Sequence, residues 1–485
     1  MSAEEVPVPH QLMSIGGQWV DAAAGNVLEA IDPTSEEVIA TFPDARDVDV
    51  DRAVSAAREA ALPWRDLGWA RRAAVLRELA GRIDETAEQL ARIDVHDGGK
   101  LLTGMRQEVS GASAEILYYA GLAPQSRGST APPSSDTLSY TEREPYGVVG
   151  RIVPFNHPFK FAAGKIAAPL AAGNTVVLKP GEQTSLSALE LARLTEGLLP
   201  PGVLNVVTGA GATAGAALVA HPLVPRIAFT GSVPTGQAIM RSAADHIKHI
   251  SLELGGKNPI IVFPDADPAR AARAAVAGMN IARSTGQSCG STSRLFVHDD
   301  IRGPFLDALV ARLDQLKIGD PMDEGTDVGP LAFDRHHQRV LAYVDAGLRD
   351  GATLLYGGRR PDRLPRGYFI EPAVFTDVDD RMTIATEEIF GPVMSVLGWR
   401  DVDDVVRRAN ALPLGLTANV WTNDISVAHR TARALEAGYV YVNGTGRRPT
   451  GTSFGGWKTS GIGKENSLDE LLSYTREKSV TVTLL

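Results

Sequence analysis

The chain has one cysteine, Cys289, set in Ser284-Thr285-Gly286-Gln287-Ser288-Cys289-Gly290-Ser291. Small, polar flanks let a substrate and backbone amides come close to the sulfur. A thiol becomes a nucleophile when its pKa is lowered or a base stands beside it. The alternative is a buried structural thiol, the ordinary role of a lone cysteine. With no second cysteine, an intramolecular disulfide and a cysteine metal cluster are both excluded.

A base is offered by Glu253 in Leu252-Glu253-Leu254-Gly255-Gly256-Lys257. Among apolar residues at a strand end, a carboxyl group tends to a raised pKa, which suits proton abstraction from water. An exposed glutamate on a strand edge is the competing reading. Asn156, in Pro154-Phe155-Asn156-His157-Pro158, ends another strand, where its amide could donate to a developing oxyanion. Asparagine between prolines is also ordinary turn chemistry, and His157 fits the same turn. Lys179 and Glu182 follow the next strand and are placed to bind ribose hydroxyls, or to pair with each other at the surface. Gly231 and Gly236, before a helix, could bring backbone N–H groups to a pyrophosphate. Their spacing is not the Gly-x-Gly-x-x-Gly of the ordinary dinucleotide fold.

The elements that must position these residues alternate. Residues 47–94 read as amphipathic helices, with Val75, Leu76, Leu79 and Ile83 on one face. A turn-rich break covers 124–135, followed by a strand beginning near Leu138 and Tyr140. From 147 onward short apolar strands (148–153, 175–178, 203–207, 226–229) alternate with Ala-rich helical stretches at 159–172, 185–198 and 211–220. This spacing gives a parallel sheet with helices on its faces. A second alternating run extends from Ile260 to about 440, including helices over 301–316 and 400–411. The β-branched residues 479–485 form a strand that needs a partner, either 137–146 or another subunit.

Composition bounds the rest. The 485 residues suggest about three structural units. At 44% hydrophobic and 22% charged, they can bury a sizeable core, which excludes long disorder and a small disulfide scaffold. A net charge of −10 argues against nucleic acid or an anionic membrane as the main partner. No apolar run approaches the ~18 residues that span a bilayer, and the acidic Met1-Ser2-Ala3-Glu4-Glu5 lacks signal-peptide character. A cytoplasmic location is expected.

Taken together, these motifs resemble the NAD(P)-dependent aldehyde dehydrogenase superfamily, from Gly17-Gln18-Trp19-Val20 to Gly461-Ile462-Gly463-Lys464-Glu465. The resemblance implies an α/β fold with a Rossmann-type cofactor domain (1–123 and 147–256) and an α/β catalytic domain (257–433). A small β oligomerisation ribbon (124–146 and 434–485) completes it. It implies Cys289 as nucleophile, Glu253 as general base and Asn156 as oxyanion donor. Cofactor contacts fall on Ile152, Pro154, Phe155, Lys179, Glu182, Gly211, Phe229, Gly231, Ser232, Leu254, Glu388 and Phe390. NAD is the expected coenzyme because the Glu182 carboxylate would repel the 2′-phosphate of NADP, the alternative. A small aldehyde is the expected substrate, in a homodimer or homotetramer. The presence of Glu253 favours hydrolysis of the thioester over transfer to coenzyme A.

Departures from the family pattern bear on substrate. Phe155 and His157 replace the usual Trp and Phe, and Ser453 stands where Pro often precedes Phe454-Gly455-Gly456. Gly164 falls at a bulky tunnel position and is expected to widen the entrance. The interval from Glu253 to Cys289 is longer than in relatives, consistent with an insertion before the cysteine. Arg283 lies close to where succinate-semialdehyde dehydrogenases carry a carboxylate-binding arginine, and Arg447 and Arg448 fall in the tunnel-mouth segment with Phe454. A semialdehyde is one candidate substrate. An aliphatic or aromatic aldehyde is its rival, and a non-catalytic nucleotide-binding relative is the alternative class.

Overall fold

A computed structural model describes residues 8–446 and 448–484. Five parallel strands form the centre of the first sheet, in the order Leu204–Val206, Thr175–Lys179, Val148–Ile152, Arg226–Thr230, His249–Glu253. All but the start of the last are buried along their whole length. Continuous apolar runs therefore suit them better than the alternation of a one-sided sheet. Antiparallel strands close the edges: Met13–Ile15 with Gln18–Val20 on one side, Gly461–Ile462 on the other. The helix Pro158–Ala172 is buried on nearly every face, which accounts for its alanines. Proline opens it, and left-handed Gly173 ends it.

From Val148–Ile152 the chain first adds strands on one side, then returns to add Arg226–Thr230 on the other. The order reverses between these two neighbours. In open parallel sheets ligands bind in the crevice beyond the carboxyl ends of the strands at such a point. Asn156 follows one of the two strands and Gly231 the other.

The second sheet runs Thr353–Tyr356, Ala373–Thr376, Val393–Trp399, Arg294–His298, Pro259–Val262, Thr417–Trp421, Tyr439–Val442, parallel except for its first pair. A separate ribbon pairs Thr475–Thr483 antiparallel with Thr137–Pro145, in unbroken register from Thr475 opposite Pro145 to Thr483 opposite Thr137. The terminal strand thus begins earlier than its β-branched residues indicate, because backbone pairing recruits Thr475-Arg476-Glu477-Lys478 as well.

Two sequence expectations change. Segment 434–485 is not a single bridging element. Tyr439–Val442 is an edge strand of the second sheet, Gly461–Ile462 pairs with the first, and only Thr475–Thr483 joins the ribbon. Strands this short reveal no partner in their own sequence. The helix expected over 211–220 begins as a wide π turn, Gly211–Gly215, before Ala216–Ala220.

Candidate active site

Cys289 sits past the short helix Ile281–Ser284, in a segment of unusual backbone. Asn280, Thr285 and Gly286 all have positive φ, at 56°, 53° and 74°. A side chain on Gly286 would collide with the backbone of Gly391 and Pro392, at 2.5 and 2.6 Å. Left-handed non-glycine residues cost energy and persist where surrounding packing imposes them, commonly at functional sites. Here the interval before the cysteine is used to make this tight turn.

Asn156 is 2% exposed, and its Nδ2 donates to the carbonyl of Gln287 at 3.0 Å, tying it to the cysteine segment. An amide has two N–H donors, so one is uncommitted among the described residues. Glu253 closes its strand at 5% exposure, and neither carboxylate oxygen has a hydrogen-bond partner among the described residues. The absence of a side chain at Gly455 lets the backbone come close: a Cβ there would lie 2.9 Å from Oε1 of Glu253. Burial, then the negative charge of Glu465, pushes the Glu253 carboxyl well above its ordinary pKa. Burial, with the charges of Glu388 and Glu253, pushes the Cys289 thiol up to about 12, while Arg448 opposes the shift. Cys289 and Glu253 therefore lie within electrostatic reach of each other, as an acid–base pair requires.

Beneath Glu253 lies a charge cluster that sequence spacing does not reveal. Glu465 accepts from Arg151 Nη2 at 2.8 Å and pairs with Lys165 Nζ at 3.0 Å. Burial alone would raise the Glu465 carboxyl, but Lys165 and Arg151 hold it well below the usual range. Asn258, also missed, donates from Nδ2 to the carbonyls of Cys289 at 2.7 Å and Ser291 at 2.8 Å, and accepts from Thr417 N–H at 3.0 Å. Tyr441 senses the charge of Cys289 and Arg448. Chain separations of more than a hundred residues leave no local signal for most of these.

The residues expected to hold a dinucleotide gather at the carboxyl ends of the first sheet. Ile152 and Lys179 pair directly in neighbouring strands, as do Ile152 and Phe229. Pro154 and Phe155 lie against Gly181, whose Cβ would meet Phe155 N at 2.9 Å. Burial holds the Lys179 ammonium down to about 8. Glu182 Oε2 accepts from Gly211 N–H at 2.7 Å. Ser232 caps the helix Val233–Ala244 by accepting from Thr235 N–H, and Gly236 N–H donates to the Ser232 carbonyl; Pro234 has no N–H, so Val233 supplies the remaining first-turn donor beside Gly231. Leu254 packs against Gly236, and its N–H donates to Ser460. From the second sheet's side, Glu388 Oε1 accepts from Gly256 N–H at 3.1 Å. Phe390, at φ 61°, meets Phe155 at 5.7 Å between ring centres. Phe333, not singled out by sequence, meets the same ring at 5.2 Å. A carboxylate beside a glycine-rich turn, the N-terminus of a helix and a second carboxylate across the crevice fit two riboses joined by a pyrophosphate.

The substrate calls fare differently. Gly164 opens no space: a Cβ there would be 2.6 Å from Oε2 of Glu115, so a carboxylate from the helix Leu102–Leu122 fills the gap. Arg283 is exposed, and its Nη2 donates to Gln107 Oε1 at 3.4 Å. Arg448 stacks its guanidinium 3.9 Å from the ring centre of Phe454. Arg447 lies outside the described residues. His157 lies in the bend between the strand and the helix Pro158–Ala172, as expected, and its ring pairs with Glu108, Nδ1 to Oε1, at 2.7 Å.

The family model for the aldehyde dehydrogenase family matches residues 19–480. The chain belongs to the aldehyde dehydrogenase family. A hydroxyisobutyraldehyde dehydrogenase of Mycolicibacterium austroafricanum is 44% identical, covering 98% of this chain and 94% of that protein. An aldehyde dehydrogenase of Tanacetum cinerariifolium is 44% identical over 97% of this chain and 94% of its own. The NAD+ complex of an aldehyde dehydrogenase from Bacillus cereus superposes with a TM-score of 0.95 at 42% identity, covering 98% and 97% of the two chains. This aldehyde dehydrogenase has no helix among its described residues long and apolar enough to cross a membrane.

Proposed function

We propose that Cys289 is the nucleophile, Glu253 the general base and Asn156 the oxyanion donor of NAD-dependent aldehyde oxidation. The observation that carries this reading is a buried carboxyl without a partner, Glu253, within electrostatic reach of the only thiol. Glu253 takes the thiol proton, and the sulfur adds to the aldehyde carbon. The carbonyl oxygen becomes an oxyanion held by Asn156 Nδ2 and the Cys289 backbone N–H. NAD held at the carboxyl ends of the first sheet would supply the hydride acceptor that takes this carbon to the thioester of Cys289. Glu253 passes the thiol's proton to solvent, then takes one from the water that attacks the thioester; collapse releases the carboxylic acid and the thiolate, which Glu253 reprotonates. Lys179, Glu182, Gly211, Gly231, Ser232, Glu388 and Phe390 hold the coenzyme. The test is NADH absorbance with a panel of aldehydes, lost on Cys289→Ala; NAD binding without turnover on any aldehyde would leave only the nucleotide-binding alternative.

A substrate with a remote anionic group, such as a semialdehyde, is a second reading. It rests on Arg448, whose charge reaches Cys289 from the face of Phe454. The reading fails if Arg448→Ala leaves the kcat/KM ratio of succinic semialdehyde to butanal unchanged. We also propose division into a cofactor domain around the first sheet and a catalytic domain around the second. The isolated two-stranded ribbon suits a homodimer or homotetramer, since such a pair is marginal without further cover. A cytoplasmic, reducing compartment would keep a solitary catalytic thiol available.

A further inference from the structure

His157 begins the helix Pro158–Ala172 immediately after Asn156, yet its side chain makes no helix cap. Instead Nδ1 faces Oε1 of Glu108, which is 3% exposed and whose Oε2 has no partner among the described residues. Burial opposes ionisation of Glu108, but the hydrogen bond with His157 and the charges of Lys160 and Arg283 hold its carboxyl below the ordinary value. An ionised carboxylate only accepts hydrogen bonds, so Nδ1 carries the hydrogen. Burial, aided by Lys160 and Lys100, outweighs the pull of Glu108 and disfavours a second proton on the ring. Nε2 is then a lone pair. The ring is neither sealed in the core nor free to turn: it is 16% exposed and packs edge-on against Phe161, 5.1 Å between centres.

Its surroundings place it beside the reacting groups. Asn156 is its chain neighbour and is bound to Gln287, two residues before Cys289. Arg448, which acts on Cys289, also acts on Lys160, and so does Arg283. Arg448 is thus a charge shared by the thiol and by Lys160, the ring's own charged neighbour.

We infer that His157, oriented by Glu108, is a specificity residue that accepts a hydrogen bond from a hydroxyl substituent on the aldehyde. This rests on the aldehyde-oxidising reading above. An acceptor held by a buried carboxylate favours a hydroxyl over a methyl of similar volume, because the methyl leaves it unpaired. It offers nothing to a carboxylate, so it differs from the role of Arg448. Glu108 is a positioning residue acting through the ring.

The test compares kcat/KM for 3-hydroxypropanal against butanal, and for lactaldehyde against 2-methylpropanal, in the native enzyme, His157→Phe and Glu108→Gln. At least one ratio should exceed five in the native enzyme and fall at least fivefold in His157→Phe. Glu108→Gln, which no longer enforces the tautomer, should lower the same ratio. Ratios at or below five in the native enzyme, or a smaller fall in His157→Phe, overturn the assignment. If His157→Phe does not fold, His157→Asn, read by the same fivefold criterion, replaces it. NADH formation from butanal alongside such a result leaves the aldehyde-oxidising reading intact, whereas no NADH from any of the four aldehydes overturns both.

Discussion

Two buried glutamates in one pocket behave oppositely. Glu465 is gripped by Arg151 and Lys165 and held ionised, while Glu253, beside it, has no hydrogen-bond partner among the described residues and is pushed toward its protonated form. Both are mainly desolvated, so burial does not distinguish them. The difference is that the cations were placed at one carboxylate only. A fixed anion then raises the neighbouring pKa without itself reacting, as paired carboxylates do elsewhere. Asn258 makes the same point among amides: its Nδ2 is spent on the cysteine segment and its Oδ1 on Thr417 N–H of the second sheet, whereas Asn156 keeps Oδ1 and one N–H uncommitted among the described residues. Of these four groups, the fully bonded carboxylate and amide hold the frame, and the two left incomplete stand nearest the cysteine segment.

The strongest way to break this comparison is to remove its reactive members. Cys289→Ala should lower kcat by about 10⁴-fold or more, since the nucleophile cannot be bypassed; steady NADH production from the variant would contradict it. Glu253→Gln should cost about 10²–10⁴-fold. Asn156→Ala should cost about 10²–10³-fold in kcat, with little loss of thermal stability, because it is the reaction that needs the amide.

Removing a member of the frame should instead register in folding. Arg151→Met leaves Glu465 buried with one cation fewer, a change worth about 3–5 kcal/mol, read as a drop in urea midpoint. The smallest and most informative effect is in pH. Glu253 must be ionised to act, so its raised pKa moves the rising limb of the kcat profile to higher pH. Glu465→Gln removes the repulsion and leaves Arg151 and Lys165 to favour the Glu253 anion. The limb should shift to lower pH by about one unit, and a shift the other way would show that Glu465 does not set it. Stability has the opposite sense for the two acids. The depressed Glu465 contributes above its unfolded pKa and loses that contribution as pH falls. The raised Glu253 contributes at low pH and loses it as pH rises.

Much of the fold was legible along the chain. The strands 148–152, 175–179 and 226–230 stand within a residue of the apolar runs that mark them, because strands buried on both faces leave continuous hydrophobic segments. Arg151 and Lys165 were passed over for the same reason: charged residues inside apolar runs show no local sign of the partner that neutralises them. Gly164 misled because absence of a side chain reads as space, and the carboxylate that takes that space comes from another helix.

The sequence alone determined which groups could react: one thiol, a carboxyl in an apolar strand end, an amide between prolines and a set of glycine turns. Side-chain chemistry is local, so residue type and immediate neighbours suffice to nominate it. The tertiary structure decided the state of each group. Which glutamate is ionised, which nitrogen of His157 carries its hydrogen and which amide holds the cysteine segment depend on charges and bonds supplied from distant parts of the chain. In a desolvated interior, those few contacts outweigh the intrinsic preference of the residue.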